Sequence, residues 1–183
     1  MIILASASPR RRELLGRICD FEVRPSDCDE KCDKTDPAQY VTELSQRKAH
    51  ATRAENGDTV IAADTSVFLD GEMLNKPRDK ADAKRMLKAL SGRIHSVYTG
   101  VTVISNGRSV SFCEKTDVEF YGLSSELISE YAESGEPLDK AGAYGIQGKG
   151  CVLVKRIDGD YFNVMGLPVA RLYRELKNIG AIK

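Results

Sequence analysis

Three consecutive arginines, Arg10-Arg11-Arg12, stand where a helix should begin. Ser8 is the expected N-cap and Pro9 the first helical residue, so the arginines fall in the first turn. Cations there oppose the partial positive charge of a helix N-terminus. A bound anion reverses that penalty, and the free N–H groups at the same end already favour one. Ser6, Ser8 and the small Ala5 and Ala7 leave room beside the backbone. The chemistry implied is a phosphate cradle after a first strand. A solvated basic face is the competing reading on charge alone. No Walker loop is involved, because GxxxxGK followed by Ser or Thr occurs nowhere.

Asp64 is the second anomaly. It interrupts the apolar run VIAADTSVFL. Strand alternation puts Asp64 and Ser66 on one face, and Thr65 on the other between Ala63 and Val67. A carboxylate in a buried strand is costly unless paired, hydrogen-bonded or on a metal. A general base or metal ligand is the sharp reading; a bulge or a carboxylate satisfied by backbone N–H groups is the bland one. Lys48, Lys76 and Lys140 sit beside helix or turn signals. Each alone reads as a surface lysine, but with Arg10 and Arg11 they make up the lining of a polyphosphate pocket. Residues 136–150, EPLDKAGAYGIQGKG, form a long loop rich in small residues, carrying two acids and the amide of Gln147. His50 and His95 have no evident partner and read as structural.

The elements that must position these residues alternate between strand and helix. MIILA reads as a short buried strand and Pro9 to Ile18 as a helix. Phe21 to Val23 is a second strand, followed by a polar loop from Ser26 to Asp36. A helix runs from Pro37 to about Glu55, closed by Asn56-Gly57. Thr59 to Leu69 is a strand ending in the turn Asp70-Gly71. Asp79 to Leu90 is helical. Val97 to Ile104 and Ser109 to Tyr121 form a hairpin around Asn106-Gly107. Ser124 to Glu133 is a helix. Cys151 to Ile157 and Tyr161 to Val164 are expected to form another hairpin around Asp158-Gly159. A helix from Leu167 to Asn178 follows. The pattern predicts an α/β fold with a mixed sheet.

The chain has 183 residues, with 27 basic and 27 acidic side chains and no net charge. That length makes a single domain, residues 1–183, with a substantial core. The bulk charge of a nucleic-acid binder is missing. No apolar run has membrane-spanning length, and the start lacks the pattern of a secretory signal, so the expected location is cytoplasmic. Five irregularly spaced cysteines read as reduced thiols, with no paired spacing for zinc.

SASPRRRELL, ADTSV, NKP, LSGRIHSVYTGV, EPLDKAGAYGIQG and NVMGLP together resemble the Maf family of nucleotide pyrophosphatases, once called septum formation inhibitors. The matches run in order along the chain. Asn75 replaces a usual Gly, and Met165 a usual Val. The resemblance implies a twisted mixed sheet in two lobes around a cleft, related to the inosine triphosphatases. It implies hydrolysis of a nucleoside triphosphate to the monophosphate and pyrophosphate with a divalent metal, Mg, Mn or Co. By the same resemblance Asp64 is the proton acceptor near the metal and Glu30 a second metal-site acid. Ser8, Arg10, Arg11, Lys48 and Lys76 hold the phosphates. Arg10, Thr65 and Gln147 match the specificity residues of the branch acting on dTTP, UTP and related modified nucleotides. A homodimer and a role in nucleotide house-cleaning or division arrest are further family expectations.

The identity of residue 147 has a chemical sense. Uracil and thymine present an acceptor, O4, and a donor, N3–H, and one amide meets both. The branch acting on 7-methyl-GTP typically has Glu there, which suits guanine's two donors. Alternatives to the pyrimidine reading are therefore a 7-methyl-GTP enzyme of the same family, or a non-catalytic nucleotide-binding regulator of septum formation.

Overall fold

The computed structural model describes residues 1–182. Among the described residues, seven strands form one mixed sheet. β1 (Ile2–Leu4) lies parallel between β2 (Glu22–Val23) and β3 (Thr59–Leu69). Beyond β3 the sheet continues antiparallel through β5 (Ile94–Ser105), β6 (Arg108–Phe120) and β7 (Val154–Asp158), while β4 (Glu72–Leu74) folds back on the end of β3. Local chemistry explains the tight connections. Asp70 and Gly71, and then Asn106 and Gly107, all take positive φ, which matches a two-residue hairpin turn to strand twist.

The helices begin where capping side chains allow. α1 (Pro9–Leu15) is capped by Ser8, and α2 (Pro37–Ala51) by Asp36, whose carboxylate accepts from the Gln39 N–H. α3 (Lys80–Leu90) and α4 (Ser125–Glu133) start behind Asp79 and Ser124. α2 stops at Thr52, before the Asn56-Gly57 signal: Thr52 takes an extended backbone conformation, and its hydroxyl donates to the Lys48 carbonyl at 2.8 Å. Residues 161–164 are not a strand. Asp160 accepts from the Phe162 N–H and starts α5 (Tyr161–Met165), which Gly166 closes at φ 106°. The expected hairpin around Asp158-Gly159 is therefore a strand followed by a helix. α6 (Val169–Asn178) lies beyond it.

Strand alternation divides the interior. On one face of the sheet, Ile61, Ala63, Val101 and Val103 pack with Leu14 and Leu15 of α1 and with Leu172 and Leu176 of α6. Further along the same strands, Val67, Leu69 and Val97 pack with Leu87 and Leu90 of α3 and Tyr131 of α4. Between these two apolar clusters the same face carries Thr65 and Thr99, which stand opposite each other in register. The other face is covered by α2. There Gly100 lets the helix backbone at Val41 approach so closely that no Cβ fits.

β3 is paired along only part of one edge. β1 covers Thr59 to Ile61, the Ala5 N–H adds a bond to the Ile61 carbonyl, and β4 covers Val67 to Leu69. No strand of the described residues pairs with Ala62 to Ser66 on that side.

Candidate active site

A cleft of about 650 Å³ opens at this break in the sheet. Its walls come from distant segments: the turn between β1 and α1, the acidic loop before α2, Lys48 of α2, Thr65 and Val67 of β3, Lys76, residues 136–148 and the Val164–Gly166 turn. Ser8, Arg10, Arg11, Glu30, Lys48, Lys76, Thr65 and Gln147 all line it. Asp64 does not face the open space directly. Its side chain is buried behind Lys48, at the edge of the same cleft.

Lys48 ties the acids together. Its ammonium lies 2.7 Å from Asp64 Oδ1 and 3.0 Å from Glu30 Oε1. Burial lowers the affinity of Lys48 for its proton, but the Asp64 charge and the bonds from both carboxylates outweigh that and hold its pKa above the ordinary lysine value. The buried strand carboxylate that looked anomalous in sequence is thus paired. Two acids meeting one ammonium define a position that either carboxylate reaches.

On the other face of β3, Arg11 is fixed by three neutral acceptors. It donates from Nε to the Gly166 carbonyl at 2.8 Å, from Nη2 to Thr65 Oγ1 at 3.0 Å and from Nη1 to Ser6 Oγ at 3.2 Å. Burial draws its pKa below the usual guanidinium value, with Asp64 opposing and Arg10 reinforcing that shift. Arginine still keeps its charge at neutral pH. Three of its five N–H groups are used, which leaves two for an anion. Arg10 reaches across the cleft mouth to Asp139 at 3.4 Å. Arg12 is exposed and does not line the cleft, so the basic-face reading applies to it alone.

The floor below Arg11 was not anticipated from sequence. Thr65 Oγ1 and Thr99 Oγ1 are 2.9 Å apart, and Thr99 donates to the Asn163 carbonyl at 3.1 Å. Asn163 is buried and donates to the Val97 carbonyl and to Thr116 Oγ1. Asn163 and Gly166 both belong to the stretch NVMGLP, so that motif supports Arg11 from beneath. The only sequence signal for this was a polar Thr at the matching position of each of two apolar strands.

The 136–150 loop folds as three short 3-10 turns, Glu136–Asp139, Ala141–Ala143 and Gly148–Val152. Glu136 also escaped the sequence reading. Its carboxylate accepts from the Tyr131 hydroxyl at 3.0 Å and from the backbone N–H groups of Lys149 and Gly150 at 3.0 and 3.3 Å. His95 is structural: buried, 2.7 Å from the Tyr144 hydroxyl, and edge-on to Phe120. Burial lowers its pKa to about 4, so the ring is neutral at pH 7.

The class these features define is an α/β protein with a cation-rich cleft at a break in its sheet. Residues 1–179 match the family model described as Maf-like protein, and the chain belongs to that family. It is 52% identical over 181 residues to the dTTP/UTP pyrophosphatase of Thermococcus onnurineus (strain NA1), covering 98% of each chain. It is also 52% identical, over 184 residues, to the dTTP/UTP pyrophosphatase of Carboxydothermus hydrogenoformans, again with 98% of each covered. Among solved structures, a HAM1 protein from Coxiella burnetii shares the fold, with a TM-score of 0.54 at 17% identity over 97% of this chain and 98% of that one.

Proposed function

We propose that this chain hydrolyses dTTP and UTP, with related modified pyrimidine nucleotides, to the nucleoside monophosphate and pyrophosphate. One observation carries the reading. A fixed arginine, a lysine-bound pair of carboxylates and a base-edge amide line or border one cleft. The names of the half-identical relatives agree with it. We place this work in the cytoplasm, in nucleotide-pool house-cleaning or the arrest of division.

The acid pair fits a divalent cation. Magnesium commonly takes one or two carboxylates and completes its shell with substrate phosphates and water. Asp64 and Glu30 would hold the ion. When bound, it supplies charge to the α-phosphoryl oxygens and lowers the pKa of the attacking water. Asp64 accepts the proton of that water. The oxygen of the water bonds to the α-phosphorus, the bond from that phosphorus to the bridging α–β oxygen breaks, and pyrophosphate leaves with the electron pair. Arg11, Arg10, Ser8, Lys48 and Lys76 hold the phosphates and offset the charge that builds on the leaving group. Arg11 is suited to this because its three protein bonds fix the guanidinium before substrate arrives. Lys48 has to exchange carboxylate for phosphate as the metal and substrate enter.

Gln147 reads the base. Its amide donates to O4 and accepts from N3–H of uracil or thymine. With that amide held in one orientation, a base with the opposite edge leaves polar groups unpaired, which costs several kcal/mol. A thymine methyl group changes affinity by only about 1–3 kcal/mol, so UTP and dTTP are both substrates.

The test is pyrophosphate release from UTP, dTTP, CTP, GTP, ATP and 7-methyl-GTP with Mg or Mn. Wild type is compared with Asp64→Asn and Gln147→Glu. Selective cleavage of UTP and dTTP, lost in Asp64→Asn and redirected by Gln147→Glu, supports the proposal. Preference for 7-methyl-GTP in the wild type overturns the base reading. Binding of UTP without cleavage in any metal overturns the enzyme reading.

A further inference from the structure

We propose that Glu136, with Tyr131, is a positioning residue that sets base preference by clamping the loop that carries Gln147. The inference rests on the pyrimidine reading above and deepens it.

Gln147 sits in a segment that its own sequence leaves loose. Gly142, Ala143 and Gly148 take positive φ, and glycine backbones have the most conformational freedom to lose. A side chain that recognises a base edge must be held to about half an ångström, and loops do this poorly unless a second layer of contacts fixes them. Tyr144 anchors the start of this stretch on His95, and around Gln147 itself the second layer is one carboxylate. Glu136 Oε1 accepts from the Tyr131 hydroxyl and the Gly150 N–H, and Oε2 accepts from the Lys149 N–H. The Tyr131 oxygen in turn accepts from the Gly145 N–H at 3.1 Å. Backbone groups on both sides of Gln147 are therefore tied to the same Glu136–Tyr131 pair.

The fit is close. A Cβ on Gly148 would lie 2.9 Å from Glu136 Oε2, and one on Gly150 would lie 2.7 Å from the Tyr131 oxygen. The glycines that free the loop also let it press onto its clamp. All three partners of Glu136 are donors, and an ionised carboxylate is acceptor-only. Glutamine at 136 keeps the shape but turns an NH2 toward an N–H, so it opens the clamp without emptying the space. Glu136 also borders the cleft, but its carboxylate is taken up by these donors.

The experiment is a mutant cycle read on substrate preference. kcat and KM for UTP and CTP are measured for wild type, Glu136→Gln, Gln147→Ala and the double variant. Tyr131→Phe is added, since it removes one arm of the clamp and leaves a ring of nearly the same size. Thermal unfolding confirms that each variant is folded. The expected result is a drop of roughly tenfold in the UTP-over-CTP ratio for Glu136→Gln, the scale of one lost charged hydrogen bond. It appears mainly as a raised KM for UTP. Tyr131→Phe moves the ratio the same way by less. In the Gln147→Ala background, Glu136→Gln leaves the ratio unchanged, because the residue it acts through is gone.

An unchanged ratio in both Glu136→Gln and Tyr131→Phe overturns the clamp while Gln147→Ala still affects preference. An equal fall in both backgrounds shows that Glu136 acts independently of Gln147 and overturns it as well. If Gln147→Ala leaves the ratio intact, the base reading and the clamp fall together. If Glu136→Gln does not fold, Tyr131→Phe and its combination with Gln147→Ala decide the same question.

Discussion

Replacing Lys48 with methionine tests the acid pair directly. The substitution keeps most of the aliphatic stem and removes the ammonium that lies 2.7 Å from Asp64 and 3.0 Å from Glu30. The side chains of Lys48 and Asp64 are each 11% exposed, whereas that of Glu30 is 64% exposed. Water therefore screens the Glu30 contact, which contributes at most about 1 kcal/mol. At an effective dielectric constant of 20, opposite charges at the Asp64 distance attract by about 6 kcal/mol. Lost hydration takes back much of that, and breaking a largely buried pair costs about 3 kcal/mol at the lower end of the observed range. For a chain of this size the melting temperature falls by roughly 2–4 °C per kcal/mol. The assay is urea unfolding at pH 7 in chelator for wild type, Lys48→Met, Asp64→Asn and the double variant. The double variant should lose about 2 kcal/mol less than the sum of the single losses, because removing either partner already removes the pair. Manganese should then stabilise Lys48→Met more than wild type, since the carboxylates no longer hold an ammonium. Single losses that add to within about 0.5 kcal/mol would refute the pairing.

Asp64→Asn should lower pyrophosphate release from UTP by at least about a hundredfold, the lower range of a positioned base, with UTP binding by calorimetry retained. Arg11→Lys keeps the charge but cannot reach Gly166, Thr65 and Ser6 together, so KM for UTP should rise about tenfold or more in steady-state assays. Gly100→Ala drives a Cβ into the Val41 backbone and should destabilise by more than about 2 kcal/mol, measured by urea unfolding. The folded His95 ring is protonated only near pH 4, whereas an unfolded histidine takes its proton near 6.5. Between those values the unfolded chain binds more protons, so stability falls as pH drops through that window, by on the order of 3 kcal/mol. Denaturation curves across pH 4–7 check this, and His95→Phe should flatten the slope.

Local chemistry was legible wherever one or two residues settle the outcome. Ser8, Asp36, Asp79 and Ser124 cap helices as their sequence contexts require. Asp70-Gly71 and Asn106-Gly107 turn the chain because their φ values demand such residues. The departures are also local: α1 ends at Leu15 and not Ile18, and Cys151 and Val152 lie in a 3-10 turn before β7 instead of in the strand. Thr52 turns to an extended conformation and ends α2 early, and Asp160 with Gly166 bounds a five-residue helix too short to show a period. Asp160 and Gly166 are themselves capping signals, so that helix was readable from its ends and not from its middle. Glu136 was unreadable because two of its three partners are backbone N–H groups, which leave no trace in side-chain identity, and the third, the Tyr131 hydroxyl, lies on a separate helix.

The site itself depends on something sequence does not carry, which is where pairing along a strand stops. Alternation assigns Asp64 and Thr65 to opposite faces, and in an unbroken sheet two such residues serve different surfaces. Here β1 leaves β3 after Ile61 and β4 joins it only at Val67. Across the gap the cleft reaches both sides of one strand. Thr65 meets Arg11 on one face, while Asp64 meets Lys48 and Glu30 on the other. A slip of one residue in β3 would exchange the two sets and turn Asp64 toward the apolar clusters. The ten-residue antiparallel register from Thr59 to Phe68 against β5 is what prevents it. Its length is therefore a requirement of the chemistry as much as of stability.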